Sequence, residues 1–226
     1  MSVNTGTPAG SQKVLDTRRR ILDAAIRVFA QKGYHDARTD EIVEASGTSK
    51  GSLYFHFSSK QKIFLALVDE FAGRLAANLE EAIAGEDDGI QRVDAALRVC
   101  LETFGRYRPL AKIFLIQAAG LGTRFEEKRM EIHSQFARVI QEHLDKAVAD
   151  GDIPPLDTEV AALAWMGALN ELVTCWVLTG NPTPGRTLTT LRTMLLRSIG
   201  VPEARIRTLE TGAAGGAVES AVAEQD

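Results

Sequence analysis

The chain has 226 residues, 45% of them hydrophobic and 25% charged, and its 26 Lys or Arg against 30 Asp or Glu give a net charge of −4. That length supports one large or two modest domains with a real core, and the composition is ordinary for a soluble protein. No uninterrupted apolar run reaches the ~18 residues of a membrane span and no signal peptide opens the chain. Cys100 and Cys175 lie among apolar neighbours without metal or redox spacing. These features exclude a membrane partner and point to a cytoplasmic protein.

Residues 1–15, rich in Gly, Ser, Thr and Pro, are expected to be a disordered arm ending in a basic stub of Lys13 and Arg18 to Arg20. A first helix is predicted from Asp16 to Lys32, with Ile21, Ala25, Val28 and Phe29 facing inward and Gly33 ending it. Residues 39–57 then read as two short helices joined by a turn at Gly47. Ile42, Val43 and Ala45 form a small apolar face on the first, and Asp40 and Glu41 suit its positive N-terminal end. Thr48 or Ser49 caps the second, and Leu53 and Phe57 anchor it at a spacing of four. Its other face presents Lys50, Ser52, Tyr54 and His56, and Gly51 lets backbone approach backbone. Polar groups this dense on a short helix suit the major groove of DNA, although Tyr54, Phe55 and Phe57 also fit a small aromatic core.

Charge separates those readings. Residues 1–62 hold ten Lys or Arg against six acids, a local +4, so the remainder carries −8. A basic head on an acidic body is what phosphate neutralisation by one end requires.

Beyond Ser59 the pattern is helical throughout, and the fold class is all-α. One long helix carries Phe64, Leu67, Val68, Phe71, Leu75 and Leu79, broken by residues 85–89. The next carries Val93, Leu97, Cys100, Leu101 and Phe104. Pro109 opens another through Ile116, which Gly120 to Gly122 close. Ile132, Phe136, Val139, Ile140, Leu144 and Val148 trace a further stripe, and residues 150–155 are a loop. From Val160 to Leu178 the chain is apolar nearly all round, so its surplus face is expected to meet a second copy. A last helix runs near Leu188 to Ile199, and residues 202–226 are expected to be a disordered tail. The dimer interface is assigned to Leu172, Trp176, Leu188, Leu191 and Leu195. Phe104, Phe114, Trp165 and Met166 are candidate lining for an apolar effector. Asn170, a polar group in the most apolar helix, needs a ligand, a symmetry mate or a core partner.

The run Thr17 to Tyr34 (TRRRILDAAIRVFAQKGY), then Ile42, Ala45, Gly47 and Ser49 to Lys60 (SKGSLYFHFSSK), closely resembles the tetracycline-repressor (TetR) family over the first quarter of the chain. The resemblance implies a three-helix helix-turn-helix head at 16–61 and a ligand-binding and dimerisation domain at 62–201. It further implies a homodimer whose last two helices pair across a two-fold axis, an operator that is a palindrome, repression as the usual mode and a small-molecule inducer. Positions matching Thr48, Ser49, Lys50, Ser52, Tyr54 and His56 supply DNA contacts in that family, and the lysine matching Lys60 holds a phosphate. Where the family usually caps the first motif helix with a hydroxyl residue, this chain has Ala37 and Arg38. Either Thr39 takes over as cap, or Arg38 grips a phosphate and the helix starts uncapped. Arg108 to Leu178 is more weakly similar to the fatty-acid-regulator branch, which implies acyl-coenzyme A as effector, with Arg106, Arg108, Arg124 and Arg129 as candidate phosphate contacts.

Chemistry needing a cofactor or metal finds no support. His35, His56, His133 and His143 lack ligand spacing, Gly47 to Ser52 lacks that of a phosphate loop, and no nucleophile elbow is present. A helical-bundle enzyme and a non-DNA ligand-binding protein are the alternatives.

Overall fold

A computed structural model describes residues 9–86, 88–117 and 122–208. In chain order the helices are α1 (Ala9–Asp36), α2 (Thr39–Ser46), α3 (Lys50–His56), α4 (Lys60–Ala84), α5 (Gly89–Arg106) and α6 (Arg108–Lys112). A π-helical segment (Ile113–Gln117), α7 (Thr123–Ala149), α8 (Thr158–Thr179) and α9 (Pro184–Ser198) follow. No strand occurs among the described residues. The closure expected at Gly120 falls at residues 118–121, outside the described residues, as do residues 1–8 and 209–226 of the expected arm and tail.

Two expectations of disorder need correction. Helix α1 begins at Ala9, so residues 9–15 are helical; the Gly and Pro signals end sooner than the arm was drawn. Residues 203–208 form a further helical turn whose Ile206 is fully buried. One buried isoleucine outweighs the polar composition around it. Gly33 does break α1, at φ +78°, a conformation in which a Cβ is strained.

The chain divides into two compact units, and they do not follow a linear boundary at 61/62. The first comprises residues 1–74 and 107–129, the second residues 75–106 and 130–226. In the first, α1 buries Ile21, Leu22, Ala25, Val28 and Phe29 along one stripe. Phe29, Tyr34, Phe64 and Phe125 meet as an aromatic cluster with ring centroids 4.9–5.8 Å apart.

In the second unit, Ile90, Leu97, Leu144, Trp165, Leu191, Leu195, Leu196 and Ile199 share one core. Leu191 and Leu195, assigned to a dimer interface, are 1% and 5% exposed within that core and are not available to a partner. Leu172 and Leu188 are half-buried against the same core, and Trp176 is half-buried with its ring 3.8 Å from where a Cβ on Gly105 would stand. The reason lies in phase: on an amphipathic helix the strongest leucine stripe goes to the core of its own chain first. What α8 and α9 leave uncovered is Val160, Leu163, Leu178 and Met194. Helix α8 is also long and apolar enough to cross a membrane by length and composition, which counting uninterrupted runs missed.

Cys100 is buried, and desolvation pushes its thiol up to about 12, so it acts as a small core residue. One polar interaction crosses the same core. Arg192 of α9, 4% exposed, pairs with the buried Asp94 of α5, whose other oxygen meets the half-exposed Arg98. Removing one member strands a buried charge, whereas removing both restores an apolar contact. Asp94→Leu should therefore cost about 3–5 kcal/mol in urea denaturation, and Asp94→Leu with Arg192→Leu should recover most of that loss. A single variant as mild as a surface substitution would refute this account.

Candidate functional site

The helix-turn-helix is built by its helix ends. Gly47 adopts the left-handed conformation at φ 60°, and its N–H and that of Thr48 reach back to Glu44 and Val43 carbonyls at 3.1 and 3.3 Å. Arg20 of α1 donates to the carbonyls of Ser46 and Gly47 at 2.7 and 3.1 Å, and Arg27 to that of Ala45 at 3.2 Å. Two α1 arginines thus serve the negative end of α2. Helix α3 starts at Ser49, whose hydroxyl accepts the Ser52 N–H at 3.1 Å. Leu53 and Phe57 bury its inner face, and Arg18 stacks over the Phe57 ring at 5.2 Å.

The capping question at α2 resolves in favour of Arg38. It occupies the N-cap position, and Thr39 is already the first helical residue. A guanidinium has no acceptor to offer, so the Glu41 carboxylate takes over and receives the Arg38 backbone N–H at 2.9 Å. Lys32, by its hydrogen bond, and then that backbone N–H hold Glu41 below the usual carboxylate range. The Arg38 side chain is left exposed.

On the outer face, Lys50 is exposed and forms an ion pair with Asp40 at 2.8 Å, a hydrogen-bonded contact that lowers the Asp40 carboxyl and raises the lysine. Tyr54 is exposed, while Ser52 and His56 are half-buried. A Cβ on Gly51 would meet only the Ser49 hydroxyl, at 3.9 Å, so nothing inside the protein demands glycine there. Thr48 is half-buried, its hydroxyl 2.8 Å from that of Ser46. Phe55, which fitted an aromatic core, is instead 76% exposed with its ring edge-on to His56 at 5.2 Å. The signal for this was present: residues two apart on a helix cannot share the face that Leu53 and Phe57 use.

Lys60 is placed otherwise than the resemblance implies. Its ammonium donates to the carbonyls of Tyr34, His35 and Ala37 at 2.7, 3.1 and 2.9 Å and lies 4.5 Å from the Tyr34 ring centre. Three N–H donors meet three carbonyls, which leaves none for a phosphate in this arrangement. Sequence could not show this, because the acceptors are the backbone end of α1, about 25 residues away. Of the ten cations in residues 1–62, then, Arg18, Arg20, Arg27, Lys32, Lys50 and Lys60 are engaged by the protein itself. Lys13, Arg19, Arg38 and Lys62 enter no side-chain ion pair among the described residues.

The effector candidates do not converge. Phe114 belongs to the first unit, where it packs on Phe71 at 5.6 Å. Phe104 is buried, and Met166 and Asn170 are half-buried on α8. Only Trp165 lines the cavity of about 290 Å³ found in the second unit, with its indole N–H donating to Ser198 at 3.2 Å. That cavity is walled by α5, α7 and α9 residues that the sequence offered merely as stripe positions, together with His143 and Arg92. Burial, then the Arg92 charge, hold the His143 imidazole below its ordinary range, with Glu142 acting in the opposite sense. No group of three or more His, Cys, Asp or Glu could hold a metal ion among the described residues.

Against this geometry stand the comparisons. Residues 21–67 match the family model of bacterial regulatory proteins of the tetR family, and residues 86–199 match that of the tetracyclin repressor-like C-terminal domain. The chain belongs to the TetR family. It is a DNA-binding transcriptional regulator. The HTH-type transcriptional regulator YdgC of Bacillus subtilis (strain 168) is 30% identical over 173 residues, covering 76% of this chain and 87% of that protein. In fold, the chain is similar to the transcriptional regulator FadR from Bacillus subtilis in complex with stearoyl-CoA. That match has a TM-score of 0.74 at 21% identity and covers 82% and 99% of the two chains. A second similar structure is AibR in complex with isovaleryl coenzyme A and operator DNA, with a TM-score of 0.65 at 20% identity, covering 79% and 97%.

Two outcomes follow. Lys60→Met should lower the melting temperature and weaken operator binding equally at every salt concentration; an unchanged melting temperature with a salt slope flattened by about one per head would restore the phosphate role. For His143 the sign is that of a depressed base. The unfolded chain binds the proton near pH 6.5 while the folded chain does not, so stability falls as pH drops below that value. His143→Phe should lose less thermal stability than the parent between about pH 7.5 and 5.5.

Proposed function

We propose that this regulator is a cytoplasmic repressor that binds a palindromic operator as a homodimer and is released by a small amphipathic effector. Helix α3 carries the reading. Seven residues long, it turns Lys50, Gly51, Tyr54 and Phe55 outward, with Ser49, Ser52, Thr48 and His56 at its margins. Arg38 and Thr39 open the preceding helix beside it. Lys50 and Tyr54 meet base edges, Phe55 offers an apolar contact of the kind a thymine methyl accepts, and Arg38, Arg19 and Lys62 hold phosphates.

One such helix reads too few base pairs to select a site in a genome; two related by a two-fold axis read two half-sites about 34–36 Å apart. Support for the dimer comes from the uncovered face of α8 and α9. Leu163 and Leu178 are 51% and 58% exposed there, beside the exposed Ala164 and Gly167 that allow close helix approach. An apolar face of this kind on a soluble regulator is covered by a second subunit. Effector release rests on the fold shared with proteins crystallised with acyl-coenzyme A ligands.

The test combines assembly with DNA binding. The parent chain should sediment as a dimer, and Leu163→Glu with Met194→Glu should give a folded monomer at micromolar concentration whose operator affinity falls at least about 100-fold. Tyr54→Ala should cost on the order of 1–3 kcal/mol of operator affinity without affecting assembly. Counting Lys50 with the four unpaired cations gives about five phosphates per head, hence a dimer salt slope near −9, half of what the formal charge suggests. A monomeric parent chain, or operator affinity indifferent to Tyr54→Ala, would overturn the reading.

A further inference from the structure

The cavity in the second unit has a composition that specifies a ligand. Its wall is largely hydrocarbon, with Ile90, Leu97, Leu144, Trp165, Leu195 and Ile199 among its contributors. Against that wall lies His143, whose Nε2 is enclosed and has no hydrogen-bond partner. A buried polar atom in this condition signals a missing partner. Arg92 lines the same space; its Nε donates to the Glu86 carbonyl at 2.8 Å, and no carboxylate pairs with it among the described residues. The other lining charges are matched: Lys146 pairs with Asp150, and Arg205 faces Asp152 at 3.5 Å. The unmatched groups are therefore one cation and one neutral imidazole, both on the rim of an apolar space.

We propose that this cavity is an effector site for a small monocarboxylate with an apolar body, its carboxylate held by Arg92 and His143. The proposal rests on the effector-responsive reading above and names the ligand class for it. At about 290 Å³ the cavity is roughly twice the ~150 Å³ that encloses benzene. It holds on the order of a dozen non-hydrogen atoms, the size of a medium-chain fatty acid. A coenzyme A thioester is not enclosed, because its carrier exceeds the volume several-fold and its thioester carries no charge for Arg92. The guanidinium supplies charge-assisted hydrogen bonds, and the imidazole supplies an N–H that has no other use.

Isothermal titration of the full-length protein with decanoate, decanol and decanoyl-coenzyme A tests this, with operator binding measured in parallel. Decanoate should bind, and decanol, with the same body and no charge, at least about tenfold more weakly. Arg92→Gln and His143→Phe should each weaken decanoate by at least about tenfold while keeping the parent's operator affinity without ligand. Val93→Trp, which fills the cavity from α5, should abolish binding. Equal affinity for decanol, decanoate binding unaffected by Val93→Trp, or preference for decanoyl-coenzyme A would each overturn the site. Operator binding with no decanoate binding removes this site and leaves the regulatory reading standing. Decanoate binding with these dependences and no operator binding does the reverse.

Discussion

A seven-residue helix does not persist in water unaided, because one or two turns of hydrogen bonds cannot offset the cost of nucleation. Helix α3 exists only because something else fixes its ends and its inner face. Leu53 and Phe57 provide the face. The ends depend on cations: Arg20 and Arg27 of α1 hold the carbonyl terminus of α2, and Lys60 of α4 holds that of α1. Each basic side chain replaces the water those carbonyls would otherwise bind. The three-helix head is thus a set of short elements locked at their termini, and its outer surface is free to carry whatever residues DNA requires.

That constraint changes the meaning of the charge pattern. A local +4 in residues 1–62 is a sound sign of a nucleic-acid head, yet most of its cations spend their hydrogen bonds inside the protein. The same residue type can neutralise a phosphate or a helix C-terminus, since both are clusters of oxygen acceptors with negative potential. Composition cannot tell the two apart. Only the position of the backbone acceptor decides, and for Lys60 that acceptor belongs to another helix.

A parallel ambiguity governs the body. Leucines at helical spacing on α9 fit a subunit interface or an internal core equally well, and Leu191 and Leu195 went to the core. The apolar residues left for a partner are those at the opposite phase, Val160, Leu163, Leu178 and Met194. Likewise the cavity is defined by gaps between helices, whereas aromatic residues such as Phe104 and Phe114 mark filled space. Large rings are more often what closes a core than what lines a ligand site.

Much was legible in the sequence because it rests on local rules. The all-α class, the turn at Gly47, the Ser49 cap, the Pro109 and Asp157 starts and the outward polar face of α3 follow from periodicity, capping and backbone conformation within a few residues. The family follows from the same short segment, whose residues are jointly specific. Tertiary structure decided what depends on residues distant in sequence: that Lys60 closes α1, that Arg38 leaves capping to Glu41, that Phe55 is outside, that Leu191 and Leu195 are inside, and that His143 and Arg92 border one cavity. Local rules fix which groups a chain offers. Packing alone fixes which of those groups find a partner within the chain and which remain for DNA, a second subunit or a ligand.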